Sequence, residues 1–163
     1  MRADPLVLSI ERRVAGFVAR HEVLRRGERA LLMLSGGADS MAMLALVVVV
    51  GRRLDLCLDL GALHVDYGLR GADSDRDREI VVRACAAAGV PLDVVRLGAA
   101  LRGPGFQARA RAQRYSRAQE LAAAGGHDVI LTAHNRDDQA ETVLYRLTKY
   151  ASPRALVGMR PRE

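Results

Sequence analysis

Residues 31–44 read LLMLSGGADSMAML: an apolar run, a Ser-Gly-Gly turn, an aspartate and a serine, then a second apolar run. Ala30 to Leu34 is a short all-apolar segment bounded by a turn, which predicts a buried strand. Ser40 to Val50 predicts a helix, against the weak helix propensity of its four valines. A strand, two glycines and a helix start together make an anion site. Glycines tolerate positive φ and let an anion approach the backbone. The unpaired N–H groups of the first helical turn and the helix dipole then hold it. Ser35 and Ser40 add hydroxyls. Asp39 would repel a bare phosphate, so it either caps the helix or holds a Mg²⁺ that bridges to phosphate oxygens. The stretch is neither GxxxxGK[ST] nor GxGxxG, and without the lysine of the former it does not suggest γ-phosphate transfer.

Working outward, the same alternation recurs. Leu6 to Arg26 carries a stripe at Ile10, Val14, Phe17, Val18, His21 and Leu24, which predicts an amphipathic helix ending before Gly27. A strand at 58–65 precedes a polar loop and a helix at 73–88, stopped by Gly89 and Pro91. A strand at 92–97 precedes a helix at 107–124, closed by Gly125 and Gly126. A strand at 128–133 precedes a helix at 137–149. The strands start roughly thirty residues apart, the length of a strand–helix–strand crossover. Apolar strands alternating with helices predict one α/β domain over 1–163, a Rossmann-like parallel sheet with helices on both faces. In such sheets ligands sit at the carboxyl ends of the strands. The polar stretches Ser35–Ser40, His64–Arg70 and His134–Gln139 each follow a strand there.

With 163 residues, 50% hydrophobic and 27% charged, the chain has globular composition and length for one substantial core. Leu44 to Val50 is too short to span a bilayer, and the charged MRADPLVLSIERR start is no signal peptide. A cytoplasmic location with no membrane association is expected. Cys57 and Cys85 stand apart, with no CxxC and no nearby His pair, so zinc and a disulfide framework are not indicated and both are expected as core thiols. Net charge is +6, with Lys149 the only lysine. That surplus fits a polyanionic partner or a bias toward Arg. Arg111 and Arg114 stand i,i+3 on one helical face, while Arg109 and Arg117 read as a solvated basic face. Asp138 and Glu141 read as a capping box for the last helix.

SGGADS is similar to the SGGxDS loop of the N-type ATP pyrophosphatases. HVDYGLRG (His64–Gly71), QARARAQRY (Gln107–Tyr115), TAHNRDDQAETVLYRL (Thr132–Leu147) and the closing LVGMRPRE follow in the order and spacing of tRNA(Ile)-lysidine synthetase, so the chain resembles that family from about Arg29 onward. The resemblance implies an adenine nucleotide alpha hydrolase-like fold and a ligase. In that reaction ATP would adenylate the C2 oxygen of the first-anticodon-position cytidine of tRNA(Ile) with a CAU anticodon, releasing pyrophosphate, and the L-lysine amine would then displace AMP. It implies ATP and Mg²⁺, with Ser35, Gly36, Gly37, Ala38, Asp39 and Ser40 on the pyrophosphate and Asp39 beside the metal. It places His64, Asp66 and His134 near the nucleotide and Arg114 on the substrate. Arg111 and either Asp137 or Asp138 take reactive roles.

The sequence departs from the family at Tyr67, where the family has His, and at 149–154, where KYASPR replaces a Gly-Ser-Gly turn. The family's catalytic domain also continues further than this chain. Two alternatives remain: another PP-loop ATP pyrophosphatase acting on tRNA, such as a thiolation enzyme, and a nucleotide- or RNA-binding domain without turnover. The isolated cysteines count against a cluster-bearing thiolation enzyme.

Overall fold

The apolar run before the glycine turn forms β1 (Arg29–Met33), which lies between two parallel neighbours in a four-stranded sheet. The computed structural model describes residues 4–67, 72–97, 105–149 and 158–162. Around β1 the order along the chain is α1 (Pro5–His21), β1, α2 (Ala38–Arg53), β2 (Asp59–Asp66), α3 (Ala72–Ala88), β3 (Leu92–Arg96), α4 (Phe106–Gly125), β4 (Val129–Thr132) and α5 (Arg136–Lys149). In space the strands run β3-β2-β1-β4. Every described pairing is parallel. The segment 68–71, the two ends of the LVGMRPRE stretch (156–157 and 163), and most of the 149–154 departure lie outside the described residues.

This order explains the two layers. The crossovers β1–α2–β2 and β2–α3–β3 proceed in one direction, and β3–α4–β4 returns past β1. A right-handed connection in each direction puts α2 and α3 on one face and α4 on the other. Alternate residues of β1 divide accordingly. Ala30 and Leu32, with Leu34 just beyond, pack with Leu44, Val50, Val81 and Cys85. Leu31 and Met33 pack with Ala110, Ala118 and Ala122 of α4. The four valines of α2 are helical because Val47, Val48 and Val50 pack into the first cluster, and burial overrides their propensity.

Several expectations need correction. α1 ends at His21 rather than Arg26, because Glu22 turns left-handed (φ 46°) and its N–H closes on the Val18 carbonyl. Ile10 and Phe17 are exposed, and Ala15 and Val18 make the buried contact. Full burial holds for β1 and most of β2, whereas the outer strands β3 and β4 are only partly covered. Cys85 is a core thiol; Cys57 is exposed in a loop at φ 49°. At the amino end of the sheet the His127 ring presses on two glycines. A Cβ on Gly61 would lie 2.6 Å from Nε2, and one on Gly125 2.6 Å from Cε1. Among the described residues no helix is long and apolar enough to cross a membrane.

Candidate functional site

Because the chain turns back between β1 and β4, the loops leaving these two strands diverge and open a crevice at their carboxyl ends. A cavity of about 830 Å³ lies there, lined by Ser35 and Gly37–Ser40, the end of β2, the first half of α4 and the start of α5.

The wall made by the glycine turn is open. α2 begins after Gly37, which has extended backbone and supplies no side-chain cap. The N–H groups of Ala38 and Asp39 therefore lack both an intrahelical acceptor and a cap. Asp39 lies within the first turn, so the helix-cap reading of it is corrected. The Ser40 hydroxyl, 3% exposed, donates to the Gly37 carbonyl (2.9 Å) and accepts from Ser35 N (3.2 Å) and Ser35 Oγ (3.1 Å). It holds the loop's shape. Gly36 sits at φ +89°, and a Cβ there would come within 2.8 Å of Asp77 Cβ and 3.1 Å of the Asp77 backbone. The turn needs glycine both for conformation and for the close approach of α3.

Facing it, α4 presents cations. Arg111 and Arg114 flank the Tyr115 ring, their Cζ atoms 5.4 and 5.7 Å from its centroid. Arg114 Nε is buried without a hydrogen-bond partner among the described residues. A buried guanidinium N–H without an acceptor is costly, and the two guanidinium groups that line the cavity are strong donors for an anion. Tyr67 donates to the Ala110 carbonyl (3.3 Å) and meets Phe106 edge-on at 6.3 Å. Burial pushes its phenol pKa up, opposed by Arg114, so it is a neutral hydrogen-bonding group.

At the end of β2, His64 is 3% and Asp66 5% exposed. His64 Nδ1 donates to the Leu34 carbonyl (2.8 Å), since a carbonyl can only accept, and so ties the end of β1 to β2. Asp66 pairs with Arg96 of β3 at 3.3 Å.

The start of α5 is closed. Asn135 Oδ1 accepts from Asp137 N (2.8 Å) and Asp138 N (3.1 Å), and Asp138 Oδ2 accepts from Asn135 N (2.7 Å). This reciprocal box replaces the one predicted between Asp138 and Glu141, three residues further on. Asn135 Nδ2 also donates to Asp39 Oδ2 (3.2 Å), bridging the two sides of the crevice. His134 Nδ1 shares a 2.8 Å hydrogen bond with Thr132 Oγ1. Burial and the nearby Arg111 and Arg114 outweigh Asp138 and hold the His134 pKa below its ordinary value.

The structure thus brings Ser35, Gly37, Ala38, Asp39, Ser40, His64, Asp66, Arg111, Arg114, His134 and Asp138 around one cavity. Gly36 supports the wall from behind. Asp137 is exposed and does not line the cavity. Two contributors escape the sequence reading. Asn135 was visible as a helix-start residue before Asp138. Asp77 is placed by packing of α3 against Gly36, for which the sequence carries no signal. No group of three or more candidate metal ligands exists among the described residues. Asp39 alone, exposed at the cavity, fits a Mg²⁺ that takes most of its ligands from phosphates and water.

Residues 6–163 match the family described as PP-loop domain. The chain is 38% identical over 153 residues to a tRNA(Ile)-lysidine synthase of Symbiobacterium thermophilum, covering 91% of this chain and 31% of that protein. It is 41% identical over 129 residues to one of Salinispora tropica (79% and 38%) and 34% identical over 157 residues to one of Geobacter sulfurreducens (94% and 33%). The chain therefore spans about a third of the length of these relatives. The U34-tRNA thiolase NcsA of Methanococcus maripaludis, solved with its [4Fe-4S] cluster, shares the fold, with TM-score 0.73 at 20% identity over 87% of this chain and 49% of that one.

Proposed function

Because the chain belongs to the PP-loop domain family, we propose that its cavity binds ATP. We further propose that the domain serves in ligating L-lysine to C2 of the first-anticodon cytidine of tRNA(Ile) with a CAU anticodon, in the cytoplasm. The observation that carries this reading is the uncapped start of α2 and the guanidinium groups of Arg111 and Arg114 lining one cavity. Between them lies space for a polyphosphate, with N–H groups on one side and guanidinium groups on the other.

The residues divide the work. The N–H groups of Ala38 and Asp39 and the α2 dipole hold the pyrophosphate end. Arg111 and Arg114 take up negative charge at the α-phosphate and its acceptor. Asp39 would hold a Mg²⁺, which would supply neutralisation of phosphate charge. His64 and Asp66 stand where adenine or ribose meets the end of β2. His134 stands beside the nucleotide, and Asp138, on the same side of the cavity, helps bind metal or substrate. Both relatives' names and motif order support this ligation. A thiolation enzyme with a cysteine-held cluster is less well supported, since no cysteine lines the cavity, Cys85 is buried in the core and Cys57 is exposed in a separate loop.

The test is titration of the chain with ATP with and without Mg²⁺, then incubation with ATP, Mg²⁺, lysine and tRNA(Ile). Mg²⁺-dependent binding, pyrophosphate release and lysidine are expected. Asp39→Ala should weaken Mg²⁺-dependent ATP binding about tenfold or more, which is about 1.4 kcal/mol. An unchanged affinity removes the metal role. ATP binding without pyrophosphate release at any tRNA concentration leaves nucleotide binding without turnover.

A further inference from the structure

α5 carries Asp138 to the cavity from its first turn, with Asn135 as its cap, yet none of its residues is buried, and Leu144, Tyr145 and Leu147 are exposed. Its start is held by polar contacts instead. On the site side there is the Asn135–Asp39 hydrogen bond. On the other side Gln139, one residue after Asp138, pairs its amide with a backbone twenty residues away. Nε2 donates to the Met159 carbonyl (3.1 Å), and Oε1 accepts from Met159 N (2.8 Å). The approach is so close that a Cβ on Gly158 would lie 2.0 Å from Gln139 Nε2.

Segment 158–162 is anchored in turn. Arg162 makes two hydrogen bonds to the Glu28 carboxylate (2.6 and 3.1 Å) and reaches the carbonyls of Glu22 and Val23 (3.2 and 3.3 Å). Their side chains are 25% and 12% exposed, the least exposed ion pair among the described residues. Glu28 directly precedes β1, and its backbone carbonyl accepts from Asp59 N at the start of β2. The strap therefore runs from the amino end of the sheet to the first turn of α5 at the carboxyl end.

We infer that Gln139 is a positioning residue: strap 158–162, locked to Glu28 by Arg162, fixes the first turn of α5 through it and so sets Asp138 against the cavity and Asn135 against Asp39. A helix without buried residues has little apolar contact to define its angle, and two complementary amide hydrogen bonds to a fixed backbone supply that definition. The inference rests on the cavity being the nucleotide site only for its functional half.

Two substitutions reach the contact from opposite sides. Gln139→Leu keeps volume and helix propensity and removes both hydrogen bonds. Gly158→Ala leaves Gln139 in place but pushes its amide away, and Gly158 has no positive φ to strain. In the full chain, amide hydrogen exchange at 136–141 should speed up about tenfold or more in each variant, with exchange in β1, β2 and α2 unchanged. The double variant should lose no more than either single one, since both break one contact. Mg²⁺–ATP affinity should fall several-fold in each, without a matching drop in melting temperature. Unchanged exchange at 136–141 overturns the inference, as does additive loss in the double variant or equal acceleration across the whole sheet. If the parent chain binds no ATP while 136–141 still loosens as described, the strap stands and the nucleotide reading fails.

Discussion

Two helices begin at the same crevice, and they begin in opposite ways. α5 is sealed: Asn135 and Asp138 satisfy one another's backbone N–H groups, and Asp137 and Asp138 add negative charge to the first turn. α2 is open: Gly37 gives no cap, and Ser35 and Ser40 spend their hydroxyls within the loop. A capped helix start is electrically finished, whereas an uncapped one inside a cavity retains donors for an outside anion. The crevice thus has one face built to receive negative charge and one built to position side chains. Asn135 Nδ2 to Asp39 Oδ2 is the point where they touch.

The harshest way to break the contrast is at the open face. Gly36→Ala puts a side chain at φ +89° and against the Asp77 backbone. It should cost about 2–3 kcal/mol of stability and abolish ATP binding. Thermal unfolding and calorimetric titration check this, and an unaffected loop would show that the glycine turn is incidental.

Next comes the sealed face. Asn135→Ala should cost about 1 kcal/mol by uncapping α5. Asn135→Asp is the sharper tool, because it keeps an acceptor for the Asp137 and Asp138 N–H groups but sets a second carboxylate beside Asp39. The expected pattern is near-normal unfolding by the Asp variant with weakened ATP binding in the absence of Mg²⁺. Equal destabilisation by both would mean that the bridge to Asp39 contributes more to stability than the cap.

The pH responses are smaller and have definite signs. The hydrogen bond from Arg162 holds the Glu28 carboxyl below its usual range. Its contribution is present above the unfolded carboxylate pKa, near 4.5, and is lost as pH falls through the lower folded value. Arg162→Ala should remove that acid-side dependence, measured by unfolding between neutral pH and about pH 3. The smallest effect is at His134. Because its folded pKa lies below the ordinary 6.5, the neutral ring is favoured in the fold, and that preference fades as pH falls below the unfolded value. Imidazole resonances should titrate below 6.5, chiefly because the ring is partly buried, and removal of both Arg111 and Arg114 should raise them part of the way.

The sequence made the alternation of strands and helices readable because each crossover has its own apolar strand, and the glycine turn readable because few other structures need those residues together. It misled where backbone chemistry outranked side-chain pattern. Glu22 ends α1 through a left-handed turn that no breaker residue announces, and Cys57 is exposed for the same kind of reason. The capping box was recognised but displaced, since Asp138 serves as its third helical residue rather than its cap. Asp77, Gln139 and Arg162 were not readable at all, because each acts through a contact between segments remote in sequence.

The His127 ring imposes an order on change. While it occupies the space beside Gly61 and Gly125, a methyl group at either position forces the ring to swing out. Replace His127 first with a small residue, and alanine can enter at both. Descendants of this chain thus have an easy route through position 127 and an obstructed one through 61 or 125. Sequences bearing alanine at those two sites should have lost the imidazole beforehand.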